Sequence, residues 1–228
     1  VKDTGGREPV ITIDGPAGAG KSTAARELAR RLGFRLVDTG ALYRGLAWAV
    51  RQAGLEAADT PALRALLERT SVELRGERVI VNGCDVTAEI RTPEMGEFTS
   101  RLTALRPVRD KMTPLQRALA AQGGVVLEGR DTGSVVWPSA EVKFYLDADL
   151  EIRARRRQEE LRARGVEAEL TAVREEVRRR DRQDRERDLA PLVRPEGAVT
   201  LDTTGLSISE VVDRMLRAVE QARCCTRS

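Results

Sequence analysis

Near the start of the chain an apolar run, Val10-Ile11-Thr12-Ile13, meets Asp14-Gly15-Pro16-Ala17-Gly18-Ala19-Gly20. Lys21-Ser22-Thr23 then opens a stretch with Ala24, Leu28 and Leu32 at helical spacing, which Gly33 stops. Residues 15–22 fit G-x-x-x-x-G-K-S/T in full, with a strand before and a helix after. Glycines let backbone N–H groups turn inward around a phosphate, and the helix N-terminus adds positive field. The plain alternative is a glycine-rich turn that only links strand to helix; the flanking elements favour the phosphate site. Gly15, Pro16, Ala17, Gly18, Ala19, Gly20, Lys21, Ser22 and Thr23 are therefore the expected nucleoside triphosphate segment. Lys21 is expected to reach the β- and γ-phosphates and the Ser22 hydroxyl to help hold Mg²⁺.

Further strands and helices alternate. Residues 34–37 read as a strand ending in Asp38-Thr39-Gly40, and a helix follows with Leu42, Leu46, Ala49 and Val50 on one side. Strands are also expected at 125–127, 142–146 and 199–201, making five in a parallel α/β sheet. Two departures break the rhythm. A short helix after Thr60-Pro61 leads into apolar runs around Gly76 and Asn82-Gly83, an antiparallel hairpin insert. Later, residues 150–182 read as a charged helical stretch interrupted at Gly165, and thirteen arginines fall between Arg153 and Arg187. Ser207 and Glu210 predict a capping box for the last helix.

Composition narrows the chemistry. The chain has no histidine, so imidazole catalysis and imidazole zinc sites are excluded. Cys84, Cys224 and Cys225 are too few and badly spaced for a disulfide framework, which points to a reducing cytoplasm. Apolar runs reach only five residues, as at 46–50, so no transmembrane helix is expected. Residues 1–9 are polar, unlike a signal peptide, and read as a frayed tail. Only four of the 39 basic residues are lysines, and the formal charge is +3. Arginine suits phosphate because its planar fork donates parallel hydrogen bonds and stays charged when desolvated. For most of them an arginine-coated helix surface is the simpler reading. Seven scattered aromatics make no stacking platform, so nucleic acid is not an expected partner.

A guanine-specific switch needs Asn-Lys-x-Asp, and the one asparagine, Asn82, lies in the hairpin. A motor ATPase is disfavoured because strand 142–146 ends in Asp147-Ala148-Asp149 rather than adjacent carboxylates. Four motifs point elsewhere: the phosphate loop from Ile13 to Thr23, Asp38-Thr39-Gly40-Ala41-Leu42-Tyr43-Arg44, Glu128-Gly129-Arg130-Asp131-Thr132-Gly133, and Arg180-Asp181-x-x-Asp184-x-x-Arg187. Together with the hairpin insert they resemble the bacterial cytidylate (CMP/dCMP) kinases over about residues 10–222. The resemblance implies a P-loop NTPase fold: a five-stranded parallel sheet flanked by helices, a small antiparallel β insert and a helical lid. It implies ATP-dependent phosphorylation of CMP and dCMP with Mg²⁺, by a monomer in the cytoplasm. Such a reaction needs no general base, because the attacking phosphate oxygen is already ionised at neutral pH. Other monophosphate or small-metabolite kinases, and a nucleotide-regulated binding protein, are the alternatives.

The resemblance also implies site residues. Arg44, Arg130 and Arg187 match arginines that hold the acceptor phosphate, and Lys21, Arg130 and Arg187 are the catalytic set. Arg180 and Asp184 match ribose contacts, although at i and i+4 they could be a plain helix ion pair. Ser100, Arg109 and Asp131 match positions that read cytosine, with Asp131 accepting from the 4-amino group. Thr39 matches a position near the nucleotide or else caps a helix, and Asp38 positions Mg²⁺ or Arg44. Arg153, Arg156 and Arg157 are candidates only on the ATP side, a solvated helix face being the simpler reading for most of them. The implied division is a core at 10–37, 105–149 and 189–222, a monophosphate-binding region at 38–104, a lid at 150–188, and tails at 1–9 and 223–228.

Overall fold

The computed structural model describes residues 8–225, so the expected fraying at residues 1–7 and 226–228 lies outside the described residues. Strand β1 (Val10–Asp14) is buried along its whole length. It pairs in parallel with β6 (Val125–Glu128) and β7 (Val142–Asp147), which flank it; β2 (Arg35–Asp38) and β8 (Val199–Asp202) form the edges, giving the order β2-β6-β1-β7-β8. The five-stranded parallel sheet of the sequence reading is thus present.

Strand side chains alternate between faces, and the two sides of β1 feed different cores. Ile11 and Ile13 join Leu28 of α1 (Lys21–Leu32), Phe144 and Leu146 of β7, and Val212 and Met215 of α8 (Ile208–Cys225). Val10 faces the other way, toward Leu42 and Leu46 of α2 (Thr39–Gln52) and Met112 of α5 (Arg106–Ala120). The Phe144 ring is fully buried, and truncating such a ring costs about 3–5 kcal/mol. The capping box forms: Ser207 N–H donates to Glu210 at 2.8 Å and Glu210 N–H donates back to the Ser207 hydroxyl at 3.3 Å. Helix α8 continues through Cys225, past residue 222 where it was expected to end.

The insert is a three-stranded antiparallel sheet of β3 (Val72–Arg75), β4 (Arg78–Val81) and β5 (Cys84–Asp85), preceded by α3 (Pro61–Arg69). Asn82 (φ 50°) and Gly83 (φ 84°) both take the left-handed conformation that this hairpin turn demands. Helix α2 lies against the insert at Gly45, where a Cβ would come within 2.7 Å of Val79 Cγ1. Helix α4 (Pro93–Leu102) follows the insert. The stretch expected to form the lid consists of α6 (Leu150–Arg162) and α7 (Leu170–Glu186), broken around Gly165 and packed on its own small core of Ala154, Leu161, Val173 and Val177. Among the described residues no helix is long and apolar enough to cross a membrane.

Candidate active site

All five parallel strands end in an acidic residue at the sheet's carboxyl edge: Asp14, Asp38, Glu128, Asp147 and Asp202. Ligands of open α/β sheets bind at this edge, and these carboxylates organise the loops there. Asp14 is fully buried and accepts from Thr132 N–H and Oγ (both 2.8 Å) and Gly133 N–H (2.7 Å), anchoring the loop that carries Arg130 and Asp131. Burial raises its pKa to about 6 against the pull of those hydrogen bonds. Asp38 caps α2 through Ala41 N–H at 2.7 Å and lies 3.6 Å from Arg44. Asp38, not Thr39, is therefore the cap. The Thr39 hydroxyl donates to the Glu128 carbonyl at 2.8 Å.

The phosphate loop spans β1 and α1 as the sequence pattern requires. Gly15, Gly18 and Gly20 all have positive φ, at 147°, 76° and 81°. A Cβ at Gly15 would lie 1.9 Å from the Leu146 carbonyl oxygen, so no larger residue fits. Ala17, Gly18, Gly20, Lys21, Ser22 and Thr23 line a cleft of about 390 Å³, whereas Gly15, Pro16 and Ala19 are buried off its wall. Lys21 Nζ donates to the Pro16 carbonyl at 2.6 Å and lies 4.0 Å from Glu128. Burial and the neighbouring Arg130 depress its pKa to about 7.

Every expected acceptor-side residue reaches this same cleft: Thr39, Arg44, Ser100, Arg109, Arg130, Asp131, Arg180, Asp184 and Arg187. Ten cationic residues line it against six acidic ones, an excess of four positive charges. Asp131 accepts from Arg109 Nη1 at 2.9 Å and Arg187 Nη2 at 3.3 Å. Asp184 accepts from Arg130 Nε at 3.0 Å and lies 3.8 Å from Arg187. Burial alone would raise the Asp184 pKa; Arg130, Arg180 and Arg187 overcome it and hold it below the ordinary carboxylate range. Arg180 attracts Asp184 across the helix turn without a contact ion pair. Its buried Nε has no hydrogen-bond partner, as is true of Arg44 Nε and Arg109 Nη2. Burial and Arg130 push the Arg180 pKa down to about 10. A site holding several desolvated guanidinium groups in excess of its carboxylates is built for anions. Ser100 contacts the lid instead of only solvent, donating to Gln183 Oε1 at 3.3 Å.

The solvated-face alternative for Arg153, Arg156 and Arg157 does not hold. Arg153 is buried, Arg156 donates to the Thr203 hydroxyl (2.9 Å) and carbonyl (2.7 Å), and Arg157 lines the cleft between Glu160 and Glu176. Glu128 was not among the expected site residues, yet it lines the cleft. Its carboxylate, 5% exposed, accepts from the Ser22 hydroxyl at 3.2 Å. The available signal was its place at the end of a buried strand, directly before Gly129-Arg130-Asp131. At Gly129 a Cβ would come within 2.5 Å of Thr39 Oγ1, which explains the glycine.

The chain is similar to known proteins over nearly its whole length. The cytidylate kinase of Symbiobacterium thermophilum is 48% identical over 218 residues, covering 93% of this chain and 96% of the relative. That of Geobacter sulfurreducens is 48% identical over 226 residues, 97% of each. Among solved structures, a shikimate kinase from Bacteroides thetaiotaomicron superposes with a TM-score of 0.50 at 14% identity, over 93% of this chain and 98% of that one. This last likeness is one of fold. The family model described as cytidylate kinase matches residues 11–221, a span that takes in the phosphate loop, the cleft arginines and helices α6 and α7 alike: the chain belongs to the cytidylate kinase family.

Proposed function

We propose that the chain transfers the γ-phosphoryl group of ATP to CMP and dCMP, with the phosphate loop as donor site and the Arg44–Arg130–Arg187 side of the cleft as acceptor site. The observation that carries this reading is the convergence of Lys21, Arg44, Arg130, Arg180 and Arg187 on one cleft. Bringing two polyanionic nucleotides together is opposed mainly by charge repulsion and misalignment, so fixed positive charge and positioning are what a catalyst must supply. Lys21, Arg130 and Arg187 would stabilise the transferring group, and Arg44 would hold the acceptor phosphate. Arg180 and Asp184 would take the ribose hydroxyls. Ser100, Arg109 and Asp131 would read the base, and Thr39 would sit beside it. Asp131 has acceptor capacity left after its two arginines, because a carboxylate offers about four lone-pair sites.

Mg²⁺ fits the donor set on chemical grounds. Among the described residues there is no cluster of three or more His, Cys, Asp or Glu, but this cation keeps several waters and uses one or two protein oxygens beside substrate phosphates. Ser22 Oγ and the Glu128 carboxylate, 3.2 Å apart, would hold it. When bound it would offset charge on the β- and γ-phosphates.

The residues divide into a core (10–37, 105–149, 189–222), a monophosphate-binding region (38–104) and a lid (150–188) whose closure would exclude water, so that ATP is not simply hydrolysed. One chain supplies every proposed side chain, in keeping with a monomer, and its expected place is the cytoplasm with its nucleotides. The test is a coupled ADP-release assay with CMP, dCMP, UMP, AMP and shikimate as acceptors. Turnover with CMP and dCMP well above the rest is expected. ADP release that ignores the acceptor, or prefers another one, would refute the reading.

A further inference from the structure

Asp181 sits inside the Arg180-Asp181-x-x-Asp184-x-x-Arg187 run, yet it does not line the cleft. Its carboxylate is 5% exposed and turned toward the phosphate loop. One oxygen accepts from Ala17 N–H at 3.4 Å, and the other pairs with Arg153 Nη1. Arg153, 6% exposed, also donates from Nε to the Ala148 carbonyl at 2.9 Å and from Nη1 to the Ala17 carbonyl at 3.1 Å. Both polar groups of the Ala17 backbone are thus held from the lid, the N–H by α7 and the carbonyl by α6. The next residue is pressed on the same support: a Cβ at Gly18 would lie 2.7 Å from the Arg153 carbonyl oxygen and 2.9 Å from Arg153 Cβ.

A buried ion pair is a poor device for stability, since desolvation offsets most of its attraction and apolar residues of similar volume do as well. Such a pair does impose orientation, because every donor and acceptor must be met at once. Orientation is what this loop requires. Its three glycines have wide conformational freedom, and binding a phosphate needs one backbone shape.

We propose that Asp181 is a positioning residue for the donor nucleotide: with Arg153 it clasps the Ala17 backbone, holding the phosphate loop in its anion-receiving shape and tying that shape to the seat of lid helix α7. This rests on the assignment of the loop as the ATP site. Arg180, the neighbouring residue, belongs to the acceptor side, so the same helix turn links the two halves of the cleft.

The test is calorimetric titration of ATP and of CMP, separately, into the whole chain and its variants. Asp181→Ala should weaken ATP binding about tenfold, the effect of losing a hydrogen bond to a charged group, with CMP affinity within about twofold of the parent. Asp181→Asn keeps an acceptor oxygen for Ala17 N–H and should recover most of the lost ATP affinity. The paired substitution Arg153→Met with Asp181→Leu should fold with a nearly unchanged unfolding midpoint and still bind ATP weakly, separating positioning from stability. Unchanged ATP affinity in Asp181→Ala and the paired variant would overturn the proposal, and so would equal weakening for both nucleotides. If neither variant folds, the pair is structural and the proposal falls. A parent chain that binds no ATP would instead refute the donor-site assignment itself.

Discussion

Asp131 pairs with two buried arginines and is the residue proposed to read the base, so its removal should have two separable consequences. Its carboxylate neutralises Arg109 (2.9 Å) and Arg187 (3.3 Å), and all three side chains are less than a tenth exposed. Asp131→Ala strands two desolvated guanidinium groups; breaking a buried pair in this way costs about 3–5 kcal/mol. For a chain of this size each kcal/mol lowers the unfolding midpoint by roughly 2–4 °C, so a drop on the order of 10 °C is expected without nucleotide. The second consequence concerns the acceptor. A carboxylate accepts from the 4-amino group of cytosine but faces a carbonyl oxygen in uracil. Sites that hydrogen-bond a substrate group reject the analogue lacking it by about 10⁴–10⁵. Losing one such contact should reduce the CMP-over-UMP preference by about 100-fold, read as the ratio of kcat/KM values in the coupled assay. Asp131→Asn should keep more stability, because one oxygen still serves an arginine. Its amide N–H₂ would then favour the uracil carbonyl and move the ratio toward UMP. Selectivity within about threefold of the parent in both variants would refute base reading at Asp131.

Other expectations address different parts of the site. Lys21→Ala and Arg130→Ala should each abolish most turnover, by about 10²–10³-fold or more for loss of a group that stabilises developing charge, with circular dichroism unchanged; parent-like rates would exclude either residue from the chemistry. Asp14 has its pKa raised by burial from 3.8 to about 6, so the folded state binds its proton more tightly than the unfolded one. Its stabilising effect is full below pH 3.8 and is lost as pH rises through 6, about 3 kcal/mol in all. The stability difference between the parent chain and Asp14→Asn, from urea melts across that window, should fall accordingly, and a flat difference would contradict the raised pKa. Gly18→Ala places a side chain at φ 76°, a strain of about 1–2 kcal/mol, and drives Cβ into Arg153. A lower unfolding midpoint and a raised KM for ATP are expected; a parent-like KM would show that the loop tolerates the change.

Features written in consecutive residues were legible in the sequence. The phosphate loop follows from one run between strand and helix, the hairpin from Asn82-Gly83, and the last helix from Ser207 and Glu210. Five strands could be counted because each is a short apolar run closed by polar or glycine-rich residues. What the sequence could not show depends on contacts distant along the chain. The order β2-β6-β1-β7-β8 places β1 beside β6 across 115 residues of register, Val10 against Val125. Arg153 could be read only as an ATP-side candidate or a solvated helix residue, because its partners Ala17 and Asp181 are distant in sequence and meet it only in the folded chain. Glu128 looked like a strand terminus until its side chain met Ser22. Asp14 gave no hint of holding Thr132 and Gly133 from more than a hundred residues away. Cleft cations at spaced positions, by contrast, were found through whole motifs: Arg44, Arg130 and Arg187 did converge.

The central claim is that a cage of fixed cations neutralises and aligns two nucleotides at the carboxyl edge of one sheet. A crystal structure of the chain with CMP and a non-hydrolysable ATP analogue tests it most directly. Arg44, Arg130 and Arg187 should lie within hydrogen-bond distance, about 2.7–3.2 Å, of the CMP phosphate oxygens, and Lys21 Nζ should leave the Pro16 carbonyl for the donor phosphates. Guanidinium groups turned toward bulk water, with either phosphate bound elsewhere, would contradict the account.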